Sequence, residues 1–534
     1  MRSDSGLRTL LVGVDAACER VLAPMIADDE LPVLASILEN GASGPLESQL
    51  PPWTASAWPS LYTGMNPGKH GVFSFCSFEG YDWDVVNATD VRERSLWELC
   101  DRHGMRSVVV NVPVTHPPRP FDGALIPGYT APEDPECHPP GLLEDVRNEI
   151  GDYRVYPAGD SAAEYRAAVR SRGEAFRYLI DRFDPHFGFL EFQATDTIFH
   201  ERPDDEGTIR AIYREVDRQL DETIAECDPA AVVLASDHGM GPYEGYEFRV
   251  NDFLREEGHV ETVRGGRGMP TWSRVRDSNL KEGDEETTRE RGAGERAVAA
   301  LASVGLTSQR IGAALERVGL ADAVARRVPD ALVSAGTEQV DFPQSAAYMR
   351  SRIELGVRIN LEGREPDGTV PADDYDRVRE SLIETLGAVE TPDGEPVFET
   401  VGPREDFFEG PECHRAVDVV TVPADFEHFL STTLRGERFG PPTEPWNHKR
   451  HGIVAAVGAG VDPDAGVGDA RLLDVAPTVL STLGIPADER MDGEALPCVE
   501  LEGSRRYPRF ENERSAETAD EAVAERLANL GYIE

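Results

Sequence analysis

The strongest constraint on the fold is a rhythm of short apolar runs, rich in β-branched residues, alternating with helical patterns. Thr9–Asp15 (TLLVGVD), Ser107–Val112 (SVVVNV), Phe187–Phe192 (FGFLEF) and Ala231–Ser236 (AVVLAS) are the clearest runs. Strands covered on both faces of a parallel sheet read as near-continuous hydrophobic stretches of this kind. Helical patterns over Tyr165–Phe183 and Thr208–Cys227 lie among them, which is the βαβ order of an α/β fold. The rhythm predicts a mostly parallel sheet flanked by helices.

After Gly258 the pattern breaks. Residues 262–295, rich in Gly, Arg and Glu, read as a long loop, and Leu301–Val333 as helix punctuated by glycines. Gly356–Val370 reads as strand and turn, and Asp373–Leu386 as a helix with an acidic first turn. The α/β pattern resumes at Ala416–Val422 and His451–Val457, and Leu472–Leu483 reads as helix with Pro477 at a kink or in the first turn. The expected organisation is a discontinuous core, residues 1–258 and 401–498, interrupted by a smaller α+β insert at 259–400 acting as cap or substrate region. Residues 499–534 are expected to form a linker and a C-terminal amphipathic helix around Ala522–Leu530.

Charge narrows the partners. With 53 Lys+Arg against 98 Asp+Glu the formal net charge is −45, which disfavours binding to nucleic-acid duplexes and to anionic membranes. Lysine is nearly absent: Lys69, Lys281 and Lys449 are the only ones, the remaining basic residues being arginines. Self-repulsion on this scale is relieved by strong ionic screening, so the composition points to a salt-filled, haloarchaeal-type cytosol. Seven scattered cysteines with no C-x-x-C pair indicate neither a disulfide framework nor a Cys-based zinc site. No apolar run is long enough to span a bilayer, and MRSDSG does not resemble a signal peptide. The expected location is cytoplasmic.

Metal-ligand residue types recur where predicted strands end. Asp15 closes TLLVGVD, Asp237 and His238 follow AVVLAS, and Asp196 and His200 follow FGFLEF in the segment FLEFQATDTIFH. His448 and His451 stand beside a further strand, GIVAAV. Any one of these reads equally as a turn residue or a surface pair. Together, at the sheet edge where open α/β folds place ligands, carboxylates and imidazoles suit Zn²⁺ or Mn²⁺, and two groups suggest two ions. Thr54, in QLPPWTASAWPSLYTGMNPGKHGVFSF, stands where an extended approach meets a helix over Ala55–Tyr62. It reads either as the N-cap of that helix or as a nucleophile whose alkoxide a divalent ion would favour.

The segment PPWTASAWPSLYTGMNPGKHG resembles the nucleophile region of the alkaline phosphatase superfamily, in its phosphodiesterase/nucleotide pyrophosphatase branch. There a Thr ten residues before the Gly of a T-G-x-x-P-x-x-H-G turn is the nucleophile; Thr54 and Gly64 keep that spacing, and His70-Gly71 complete the turn. VGVDAACERVLAPMI, VVVNVPVTHPPRPFDGALIPG, RINLEGREPDGTV and RLLDVAPTVLSTLGIPADERMDG resemble one subgroup, predicted phosphohydrolases or phosphomutases, and the likeness runs from about residue 8 to about 498. The resemblance implies an alkaline-phosphatase-like fold and two divalent ions, Zn²⁺ first and Mn²⁺ second. One would be held by Asp15, Asp237 and His238, the other by Asp196, His200 and a last histidine, with Thr54 contacting both. Relatives often place that histidine four residues before a Gly; counting back from Gly452 gives His448, with His451 the second choice. The chain departs from nucleotide pyrophosphatases where they carry an Asp-Asn pair whose Asn helps bind the phosphoryl group: Ser74 and Phe75 stand here. Asn111 and Lys69 are the alternative donors, though each reads first as a structural residue.

The expected activity is hydrolysis of a small phosphate ester through a phospho-threonine. A phosphomutase would use the same ions and return the phosphoryl group to its substrate. A Cys-type sulfatase requires C-x-P-x-R, which no cysteine here begins. A non-catalytic cation-binding scaffold would lack ligands, and the expected positions are all filled.

Overall fold

In the computed structural model, which describes residues 6–264, 338–508, 510 and 521–530, the apolar runs form one seven-stranded sheet. Its strands are β1 (Thr9–Val14), β2 (Ala42–Glu47), β3 (Ser107–Val110), β4 (Gly123–Ile126), β5 (Phe187–Phe192), β6 (Ala231–Ala235) and β7 (His451–Gly458). They lie in the order β2-β7-β6-β1-β5-β3-β4. The run from β6 to β4 is parallel throughout, while β7 is antiparallel to both β6 and β2.

Alternation along the strands divides two cores. Leu11, Val109, Phe189 and Val233 pack on one face, and Leu10, Val12, Val108, Leu190 and Leu234 on the other, as a period of two requires. The second face is covered by the helices Ala162–Phe183 and Glu206–Cys227 through Phe176, Leu179, Ile212 and Val216. Both helices begin where polar side chains satisfy their first amides. Ser161 and Glu164 form a capping box, and Asp205 Oδ1 accepts from the Thr208 amide at 3.0 Å. The first face carries α1 (Thr54–Thr63) and the helix Val475–Leu483, in which Pro477 occupies the first turn.

A second, antiparallel four-stranded sheet orders Ala347–Tyr348, Gly356–Ile359, Val419–Pro423 and Phe398–Pro403. The strand at Val419–Pro423, expected to resume the core rhythm, belongs to this sheet instead. An apolar run reports burial, not the sheet that buries it. The C-terminal helix is Glu521–Asn529. Most of the expected long loop at 262–295 and the whole of the expected helix Leu301–Val333 lie outside the described residues. No helix among the described residues is long and apolar enough to cross a membrane.

Candidate active site

The C-terminal edges of β1, β5 and β6 converge, as open α/β sheets direct. Asp15 follows β1, Asp237 and His238 follow β6, and α2 (Ala194–Glu201) begins just beyond β5 and carries Asp196 and His200. The Asp15 amide donates to Phe192 O at 3.3 Å, tying the ends of β1 and β5. Ser236 Oγ donates to Ala17 O at 2.7 Å and accepts from the Ile453 amide at 2.9 Å, which locks the β6 turn against β7. Gly452 permits that approach, since a Cβ there would stand 2.0 Å from Ser236 Oγ.

His448 arrives from the far end of the chain. The short strand Trp446–Lys449 pairs antiparallel with Gly239–Pro242, directly after His238, and sets His448 opposite Met240. Its Nδ1 donates to Pro52 O at 2.9 Å, so Nε2 is the nitrogen turned to the cluster. His451 is exposed on β7, and the geometry separates the two candidates.

Two groups of donors result. Asp196, His200 and His448 form one, and Asp15, Asp237 and His238 the other; within each, the donor atoms lie within 4.8 Å of one another. In the first, Asp196 Oδ1 is 3.3 Å from both His200 Nε2 and His448 Nε2, and the two ring nitrogens are 3.1 Å apart. In the second, His238 Nε2 is 3.5 Å from Asp15 Oδ1 and 3.1 Å from Asp237 Oδ2. His238 Nδ1 lies 3.0 Å from Gly239 O, the contact that turns Nε2 inward. Asp196 and His200 are not the surface pair that their spacing alone would allow; both side chains are buried.

Thr54 is the first residue of α1, and Trp53, not Thr54, holds the N-cap position. The Thr54 hydroxyl is buried and lies 3.4 Å from His238 Nε2. Trp58, one turn on, donates from Nε1 to Asp15 Oδ2 at 3.2 Å. Its ring crosses β1 at Gly13, where a Cβ would stand 2.4 Å from it.

The electrostatics fit divalent cations. Burial, then the charges of Asp237, Asp196 and Glu191, push the Asp15 carboxyl well above its usual range. Burial pushes Asp237 up to about 8, with Asp196 adding to it. Burial opposes the charge on Asp196 too, but His200 and His448 hold it well below the ordinary value. Burial lowers both His238 and His448; the charge of His448 adds to it at His238, and that of His200 at His448, where Asp196 opposes it. Asp15 Oδ1 and Asp237 Oδ2 are buried and accept no hydrogen bond. Clustered carboxylates with unfilled oxygens beside neutral imidazoles are a donor set that positive charge completes.

A family model for type I phosphodiesterase/nucleotide pyrophosphatase matches residues 9–333, more than half the chain. The chain belongs to that family. This phosphodiesterase/nucleotide pyrophosphatase chain is therefore an enzyme of the class that hydrolyses phosphoric esters. Among curated proteins none matches its sequence with significance. Among solved structures, phosphonoacetate hydrolase from Sinorhizobium meliloti 1021, in complex with phosphonoformate, superposes with a TM-score of 0.55 at 17% identity, covering 90% of this chain and 96% of that one. The alkaline phosphatase PafA superposes with a TM-score of 0.50 at 14% identity, covering 93% of this chain and 99% of that one. Both share its fold.

Sequence reasoning overlooked Glu191. It lies fully buried in β5, its Oε2 accepting from Asn111 Nδ2 at 2.6 Å, and its charge reaches Asp15. A lone acidic residue inside FGFLEF was the available signal. Of the two alternative phosphoryl donors, Asn111 is thus committed to Glu191. Lys69 pairs with Asp492 at 2.5 Å and donates to Arg490 O at 2.8 Å, a structural tie.

Proposed function

We propose that this phosphodiesterase-family enzyme hydrolyses a small phosphate ester in two steps through phospho-Thr54. Two divalent ions, Zn²⁺ or Mn²⁺, would be held by Asp15, Asp237 and His238 and by Asp196, His200 and His448. The observation that carries the reading is the buried Thr54 hydroxyl, at the start of a helix and 3.4 Å from Nε2 of His238, whose ring stacks on His448 of the other donor group. When bound, such ions supply positive charge that favours the threonine alkoxide and offsets charge on phosphate oxygens.

The chain's own residues orient the reaction. Thr54 attacks phosphorus, its O–P bond forming as the ester O–P bond breaks and the alcohol departs. A water oxygen then replaces Thr54, releasing phosphate and restoring the hydroxyl. The N-terminus of α1 points its partial positive charge at the group carried on Thr54. The His448 contact with Pro52 O holds the approach to Thr54 in place.

Acid quenching during turnover, followed by peptide mass spectrometry, should find phosphate on Thr54. Undiminished hydrolysis by Thr54→Ala would sink the reading. The burial of Thr54 and of all six donor side chains favours one second reading, a phosphomutase that excludes water; isomerisation of a phosphosugar without net phosphate release would identify it. The insert reading extends to this cover: the described residues 338–400, together with the strand Val419–Pro423, would form the lid over the core. The net charge of −45 supports work in a salt-rich cytosol.

A further inference from the structure

The second sheet brings a cation to the rim of the site. Arg352, in the turn between its first two strands, is 4% exposed and donates from Nη2 to Glu444 Oε1 at 2.8 Å. Its guanidinium lies over the Phe429 ring, 4.6 Å from the centroid. Glu444 in turn accepts from Asn447 Nδ2 at 2.6 Å, and Asn447 is the neighbour of His448.

Three observations tie Arg352 to the site rather than to the second sheet alone. It shares a small cavity with Trp53, Leu355 and Phe426, and the Trp53 ring lies 5.6 Å from that of His448. The charges of Glu444 and Arg352 both act on His200, with opposite signs. Ser351 Oγ meets Ser74 Oγ at 3.5 Å. The segment bearing Arg352 therefore touches the chain beside Phe75, which offers no side-chain donor.

A buried ion pair gains little stability over an apolar pair of similar size, because desolvation offsets the attraction. Glu444 keeps a quarter of its side chain exposed while Arg352 keeps almost none. The carboxylate is thus the partner that can turn to water, and a guanidinium fork matches phosphoryl oxygens as well as it matches a carboxylate.

We propose that Arg352 is the residue through which this site reads substrate charge: its guanidinium exchanges Glu444 for anionic oxygens of the phosphate, so the preferred substrates are phosphomonoesters. A monoester carries close to two negative charges at neutral pH and a diester one. A cation at this rim favours the former. The inference rests on the hydrolase reading above for its substrate class, and on geometry for the anion contact.

The test compares wild type, Arg352→Met, Arg352→Lys and Glu444→Gln, all supplemented with Zn²⁺ or Mn²⁺. p-Nitrophenyl phosphate and bis(p-nitrophenyl) phosphate serve as substrates, and inorganic phosphate is titrated by calorimetry. Arg352→Met should lose roughly 10²-fold in kcat/KM on the monoester, the effect of removing one charge-stabilising donor, and far less on the diester. Phosphate binding should weaken in parallel. Arg352→Lys should retain most of the monoester preference. Glu444→Gln, which removes the competing anion, should bind phosphate at least as tightly as wild type. Equal losses on both esters, or phosphate affinity indifferent to Arg352, would overturn the proposal; so would weaker phosphate binding by Glu444→Gln, which tests it even if Arg352→Met fails to fold. If wild type cleaved neither ester while phosphate binding still depended on Arg352, the hydrolase reading would fail and the anion site would stand.

Discussion

His238 and His448 stack ring on ring, their centroids 3.6 Å apart and their planes 19° from parallel. One belongs to the turn after β6 and the other to the strand Trp446–Lys449, so the two donor groups share a wall of two neutral imidazoles. His448→Ala should therefore disturb both groups. Metal analysis should show at least one divalent ion lost per chain, and kcat/KM should fall by at least ~10²-fold, more than loss of an outer-shell partner costs. His451→Ala, at an exposed position, should keep both. Equal metal content in the two variants would contradict the assignment.

Thr54 separates binding from chemistry. Thr54→Ala should lower kcat by about 10³-fold or more while retaining its metal, and Thr54→Ser should recover much of the rate. Loss of metal together with activity in Thr54→Ala would instead make the hydroxyl a structural member of the site.

The metal-free protein should be less stable at pH 8 than at pH 6.5. Asp15 and Asp237 titrate higher when folded than unfolded, Asp237 at about 8. The folded state therefore retains protons that the unfolded state has lost, and stability declines as pH rises through that value. His200, raised by Asp196 against the effect of burial, acts in the same direction. His238 and His448, both lowered, oppose it, but only below about pH 6.5 where unfolded histidine charges. Thermal melts after chelation should show the decline, and Asp237→Asn should flatten it. Added Zn²⁺ should reverse the trend, since ligands must shed protons to bind it.

Asn111 donates a hydrogen bond to Glu191 in the buried interior, where burial, then the charge of Asp237, pushes the Glu191 carboxyl well above its ordinary range. Asn111→Ala should cost about 1–3 kcal/mol in urea unfolding, the penalty of leaving the buried Glu191 oxygen unsatisfied. Glu191→Gln should cost less, because burial already holds the carboxyl toward its neutral form and the amide oxygen can still accept from Asn111. The reverse ranking would show that Glu191 is needed as an anion even without metal.

The acidic surface predicts a salt requirement. Raising KCl from 0.1 M to 2 M should raise the melting temperature as screening relieves self-repulsion. A melting temperature that is flat or falls with salt would remove the halophile reading.

The sheet was legible because its strands are apolar end to end and separated by helical patterns. Asp15, Asp237 and His238 could be picked out because each ends such a strand. His448 could not be placed by periodicity; its strand is short and polar, and only spacing to Gly452 favoured it over His451. Glu191 was hidden because its neighbours made FGFLEF read as uniformly buried. The pairing of Val419–Pro423 with Gly356–Ile359 was equally invisible, since backbone pairing across a long connection leaves no local trace.

Strand β2 meets the sheet only through β7, and β7 begins at His451. A chain emerging from a ribosome therefore holds Ala42–Glu47 as an unpaired strand until residues beyond 451 have been made. The same delay applies to His448, so neither the sheet edge nor the donor group of Asp196, His200 and His448 can form during most of synthesis. Domains usually assemble from the N-terminus as they emerge. This topology makes the nascent chain wait, with an exposed strand at risk of wrong pairing, and it links completion of the fold to completion of the site.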